Sequence, residues 1–170
     1  MGIGPSAVNP IGKAHVFDIV VTAIPAGADP VTFGDITTSV TPAPLSSSTT
    51  CGTPTISGER ATCTLTVNSD LPTTFKANVT AQVTMGGVTV TRSTAENHGP
   101  GGTGPATKTY VNALITLSPI TATDPVGDTH TLTATVTQDN GSGSGAKPVP
   151  DGTVVSLSIV SGPGTLSSAT

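Results

Sequence analysis

Cys51 and Cys63 are the only cysteines of this chain, with eleven residues, "GTPTISGERAT", between them. Two thiols make a poor zinc site, because zinc usually takes four ligands and no His stands near them in sequence. No Cys-x-x-Cys redox motif occurs either. The pair reads as a disulfide closing a local loop, with free buried thiols as the alternative. Closing a loop of about 13 residues would contribute on the order of 3 kcal/mol through the unfolded state, and implies an oxidising compartment.

The remaining reactive groups are sparse. His15 and His130 each open an alternating stretch, where a His could be a ligand or a pH switch, or simply a polar strand end. Asp124 with Asp128, and the run "DNGSGSG" at 139–145, are the only loose acidic groupings. Calcium needs six to eight oxygens from convergent groups, so turns account better for these residues. No cofactor is expected, and calcium is the only ion worth testing. Lys76 and Asn78 could in principle form an isopeptide crosslink, but both fall on the outward side of one strand. Asn78-Val79-Thr80 is a glycosylation sequon on that same side. No Gly-x-Ser-x-Gly, His-Glu-x-x-His or phosphate loop occurs, and nothing sets a nucleophile beside a base, so no enzyme is expected. A sugar site built on exposed aromatics lacks material: there is no Trp, and Tyr110 is the sole Tyr.

The elements that must position these groups are strands. The chain has 170 residues, enough for one large domain or two small ones, with 9% charged and 2% aromatic residues. Thr makes up about a fifth of it, beside 20 Gly and 15 Pro. Thr and Val favour strands, and Gly and Pro punctuate turns. In "HTLTATVT", Leu132, Ala134 and Val136 face one way and the threonines the other. Phe17, Ile19 and Val21 repeat the pattern, as do Cys63, Leu65 and Val67. The longest face is Phe75, Ala77, Val79, Ala81, Val83 and Met85, followed by the Gly86-Gly87 hairpin signal and "VTVTR". Val155, Leu157 and Ile159 form another. One apolar face and one Thr-rich face per strand is what a two-sheet sandwich requires. A net charge of −4 with six Lys and Arg argues against nucleic acid as a partner. No apolar run is long enough to span a membrane. The start, Met1-Gly2-Ile3-Gly4-Pro5, lacks the features of a signal peptide, so an export signal would lie outside this chain.

The chain also repeats itself. "NPIGKAHVFDIVV" at 9–21 returns as "DPVGDTHTLTATV" at 124–136, 115 residues later. In each, a Pro stops one strand, a Gly permits the turn, and a His leads into the next strand. The Gly/Pro-rich stretch at 98–109 lies between the copies and reads as a linker. The expected domains are a first module at 1–97, that linker, and the N-terminal part of a second module at 110–170. Leu45-Ser46-Ser47 matches Leu166-Ser167-Ser168, so the later strands of the second copy would be missing. Its core face, Leu132, Ala134, Val136, Val155, Leu157 and Ile159, would then be exposed and open to an adjacent repeat or another copy of the chain.

"LTATVTQDNG" and "PVPDGTVVSLSIVSGPGTLSS" resemble bacterial Ig-like repeats of the invasin/intimin type: a long strand, an Asp-Asn-Gly turn, a Pro-Val-Pro-x-Gly turn, a strand, then Gly-x-Gly-x-Leu-Ser. "TCTLTVNS" and "TTFKANVTAQV" are similar to the later strands of such a module. The first copy departs from the pattern, since "AIPAGADPVTFGDI" has no Pro-Val-Pro-x-Gly turn. The resemblance implies an all-β chain of tandem immunoglobulin-like β-sandwich modules, the second incomplete. It implies an extracellular or cell-surface location and a role as stalk, spacer or filament subunit; the exposed core face leaves two options, a window from a longer repeat array or completion of the half-module by a strand of another chain. The rival readings are an adhesive or carbohydrate-binding module, or an accessory domain of a secreted enzyme.

Overall fold

The computed structural model describes residues 1–24 and 30–167. Among them the chain is all-β, with no helix. Twelve strands run in order: β1 (Gly2–Gly4), β2 (Ala7–Pro10), β3 (His15–Thr22), β4 (Val31–Thr41), β5 (Ser46–Thr49), β6 (Thr55–Ser57), β7 (Arg60–Asn68), β8 (Thr73–Met85), β9 (Val88–Ser93), β10 (Ala106–Ser118), β11 (Thr133–Asp139) and β12 (Lys147–Pro148). The first sheet has the order β1-β3-β7-β5, with β6 also on β7. The second has the order β12-β11-β10-β8-β4, with β2 also on β10 and β9 also on β8. All pairs are antiparallel except β2 with β10, which run parallel.

Alternation decides which side of each strand enters the core. On β8, Phe75, Ala77, Val79, Ala81 and Val83 are buried while Thr74, Lys76 and Gln82 are exposed. On β7, Ala61, Cys63, Leu65 and Val67 are buried, with Thr62, Thr64 and Thr66 turned outward. Phe17, Ile19 and Val21 of β3 complete the inner face of the first sheet. The two apolar faces pack together as a sandwich, since neither could stay in water.

β4 keeps its apolar side inward by changing phase. The register with β8 slips between Phe33 and Ile36, where Gly34 and Asp35 form a bulge. The extra residue lets Ile36 follow Phe33 onto the inner side at odd spacing. At the other end, the chain changes sheets at Pro5. Before it, β1 pairs with β3; after it, β2 lies along β10.

The phrase repeated at 9–21 and 124–136 returns as structure. Ile3 pairs with Ile19 and Gly4 with Asp18; Leu117 pairs with Ala134 and Ser118 with Thr133. The β3 and β11 partners stand at the same distance from His15 and His130, and the β1 and β10 partners at the same distance from Pro5 and Pro119. The turns also correspond, since Lys13 N donates to Pro10 O at 3.4 Å and Asp128 N to Pro125 O at 3.2 Å. Gly12 and Gly127 take φ of 77° and 98°, where a side chain would be strained. Pro5 and Pro119 both follow cis peptide bonds.

The boundary between the copies differs from the sequence expectation. The stretch 98–109 is not a linker between modules. β9 and β10 lie along the same edge of β8, with Ser93 opposite Thr80 and Ala106 opposite Ala77. Residues 94–105 are a loop that leaves this edge and returns to it. Thr94 N donates to Val79 O at 3.0 Å, and Thr103 N to Met1 O at 2.9 Å. Gly and Pro marked a loop here, but a loop inside the first sandwich. Tyr110, expected to open the second module, is wholly buried in the core of the first.

The second copy has less regular structure than its alternation promised. β11 starts at Thr133, so His130 and Leu132 precede it. No strand covers Val155, Leu157 and Ile159. Alternation prepares a strand, but a ladder needs a neighbour, and β12 supplies only two residues. The Leu166-Ser167-Ser168 match extends outside the described residues.

Tyr110 Oη donates to Val67 O at 2.6 Å, from the second sheet to the first. Tyr110→Phe should lower stability by about 1–2 kcal/mol, since it leaves a buried carbonyl with one partner fewer. Urea unfolding should show an earlier midpoint at unchanged slope. A midpoint equal to that of the parent would remove this bond from the account.

Candidate functional site

The chain's unusual chemistry gathers around β10. Its first half, Ala106 to Tyr110, pairs with β8, and residues 108–111 also pair with β2. Its second half, Asn112 to Ser118, pairs only with β11. One unbroken strand therefore belongs to the first sandwich and then to the second ladder.

Three inward side chains of β10 enter the core: Ala106, Lys108 and Tyr110. Phe75 meets the Tyr110 ring edge-on at 5.8 Å. Lys108 is wholly buried, and its Nζ has no hydrogen-bond partner. It lies 4.7 Å from the centre of the Tyr110 ring, whose negative face partly offsets the lost hydration. Burial, with a smaller contribution from the nearby Lys13 charge, lowers the Lys108 pKa to about 8. Burial likewise raises that of Tyr110, partly countered by a backbone hydrogen bond from His15.

The second copy touches the first at Gly141. This residue is buried at φ 72°, and a Cβ there would lie 2.7 Å from Tyr110 O and 2.9 Å from Thr73 N. Asp139 Oδ1 accepts from Gly141 N at 2.9 Å, and Asn140 Oδ1 from Ser142 N at 3.1 Å. The "DNGSGSG" carboxylate is thus occupied in a turn that seats glycine backbone on the first sandwich.

The other candidates resolve one by one. Cys51 and Cys63 form a disulfide. His15 Nε2 lies 3.0 Å from Pro5 O, with its ring edge-on to Phe17 at 4.6 Å. Asp124 meets His130 at 2.9 Å rather than Asp128. Lys76 and Asn78 both point away from the core. Asn78 Oδ1 is nevertheless shielded and without a partner, so the sequon is less open than its face suggested. Among the described residues no three His, Cys, Asp or Glu converge as a metal site would need, and no helix is long and apolar enough to cross a membrane. In the second copy, Leu132, Leu157 and Ile159 are exposed, while Ala134, Val136 and Val155 are half-buried. Lys108 escaped the sequence reading because a Lys in an alternating strand is ordinarily counted on the wet side.

No protein-family model, no curated protein and no solved structure matches this chain significantly.

The buried amine gives a pH dependence of definite sign. The folded pKa of Lys108, about 8, lies below the unfolded value of 10.5, so the unfolded chain binds more protons between them. Stability should be lowest below pH 8 and rise as pH climbs toward 10.5. Tyr110 opposes this only above its unfolded value of 10.0, because its folded pKa is raised. Urea midpoints between pH 7 and 9.5 should therefore increase. Lys108→Met should flatten the rise and be more stable than the parent at pH 7, as expected when an unpaired buried charge is replaced by an apolar chain. A Met variant with the same rising profile would show that another group is responsible.

Proposed function

We propose that this chain is a stretch of an extracellular bacterial surface protein built from tandem immunoglobulin-like modules, where it serves as a stalk or spacer rather than an enzyme. Support for the reading comes from the order β1-β3-β7-β5 facing β4-β8-β10, which can be aligned with the A-B-E-D and C-F-G order of immunoglobulin-like sandwiches. The disulfide suits an oxidising compartment. The sequence resemblance to invasin/intimin-type repeats points the same way.

The observation that carries the reading is β10 itself. A spacer must keep its modules apart and aligned, and a hinge of free loop would defeat that. Here the connection is a paired strand, with the Gly141 turn packed beside it. The half-open second copy fits an array in which the next repeat covers Leu132, Leu157 and Ile159. Coverage by another copy of the chain, through strand completion, would make a filament subunit of it.

Two experiments test the reading. Spin labels on β8 and β11 should give a narrow distance distribution, and Gly141→Val should broaden it while the first sandwich melts as before. A distribution already broad in the parent would overturn the rigid spacer. In light scattering, the 170-residue chain should self-associate, and the double variant Leu157→Asp/Ile159→Asp should weaken association. A strict monomer whose second copy is protected in hydrogen exchange would sink the incomplete module.

A further inference from the structure

We propose that the outer face of the first sheet carries a groove for a neutral carbohydrate, a binding role beyond that of a spacer. β5 and β6 lie along one edge of β7, β5 opposite residues 65–68 and β6 opposite residues 60–62. The chain between them arches over the gap. Cys51–Cys63 ties the arch to β7, Thr50 N donates to Thr64 O at 3.0 Å, and Thr64 N donates to Thr50 Oγ1 at 2.9 Å. Beside this fixed wall, over β3 and β7, opens a groove of about 520 Å³. That is room for a mono- or disaccharide.

The lining dictates the ligand. On the floor, Asp18 stands opposite Thr64, Val20 opposite Thr62, and Arg60 opposite Thr22. A carboxylate and a guanidinium therefore lie toward opposite ends of a short floor of threonines with Val20 between them. Both side chains are exposed, and neither has a partner among the described residues. A purely anionic ligand would meet Asp18 and a purely cationic one Arg60. A neutral polyol satisfies both, donating hydroxyl protons to the carboxylate and accepting from the guanidinium. The C–H face of a pyranose matches Val20, and the threonine hydroxyls of the wall suit its rim. A peptide is the weaker fit. β7 already has ladder partners on both edges, β3 on one and β5 and β6 on the other, so the main-chain pairing that anchors extended peptides is not on offer. Without an aromatic platform, binding should be weak, with a Kd on the order of 1 mM.

Titration of ¹⁵N-labelled protein with a panel of neutral mono- and disaccharides, and separately with short polar peptides, tests this. At least one sugar should shift the amides of Asp18, Val20, Thr62 and Thr64 together. Asp18→Asn and Arg60→Gln should each weaken that binding by about tenfold, as loss of a charged hydrogen bond does, without moving the melting temperature. Cys51→Ser/Cys63→Ser should weaken it too, by freeing the wall. The proposal is overturned if no sugar shifts the groove, if the shifts persist unchanged in the variants, or if only peptides bind. None of those outcomes touches the spacer reading, which rests on β10.

Discussion

One hydroxyl crosses the core of this molecule. Tyr110 Oη, carried on β10 in the second sheet, donates to the carbonyl of Val67 on β7 in the first. The rest of the sandwich needs such a tie. With 2% aromatic residues, most inner positions are Val, Ala, Ile or Leu, which fill space without fixing how one sheet sits on the other. Phe17, Phe75 and Tyr110 are the largest wholly buried side chains, and only Tyr110 can add direction to bulk. Its bond reaches the residue paired with His15, where β3 enters its ladder with β7. The sheet-to-sheet tie and the start of that ladder are thus set at one place.

The same place carries the chain's least favourable group. Lys108 is one inward position from Tyr110, and its amine has the ring but no acceptor. Stability alone would favour Met or Leu there. The cost falls on the strand that joins the two copies, and the lowered Lys108 pKa makes it largest below pH 8. Gly141 packs on the same strand, against Tyr110 O. Tie, buried charge and contact between the copies occupy consecutive inward positions or touch one another.

Much of the sandwich was legible because period two is hard to fake. β3, β7 and β8 alternate without interruption, and their inner faces are the residues the sequence marks. β4 was hidden, since Phe33 and Ile36 are three apart and only a bulge puts both inside. β10 was read from the wrong end, because Ala106, Lys108 and Tyr110 alternate around a charged residue and follow a Gly/Pro run. The disulfide followed from arithmetic, as two cysteines a short loop apart have few other uses. Asp18 and Arg60 carried no signal at all. They are 42 residues apart, and only the β3–β7 register brings them to one groove. The seat of Gly141 was equally silent, for a Gly-rich turn looks the same in sequence whether it waves in water or packs on a neighbour.

The pairing of β2 with β10 also bears on how the sandwich would answer load. In the proposed spacer, tension would pull the first sandwich through its N-terminal side and through the far end of β10. β2 and β10 run parallel, so opposite pulls slide one along the other rather than peel them apart. Their four register pairs, Ala7 with Lys108 through Pro10 with Val111, are then strained together, and the bond from Ile11 N to Val111 O with them. A single hydrogen bond contributes only about 1 kcal/mol, but bonds that must break at once resist far better than bonds that break in turn. Resistance of this kind depends on strand direction, not on the size of the apolar core. In the proposed spacer, the parallel pairing of β2 with β10 would supply a resistance to pulling that a core poor in aromatics does not.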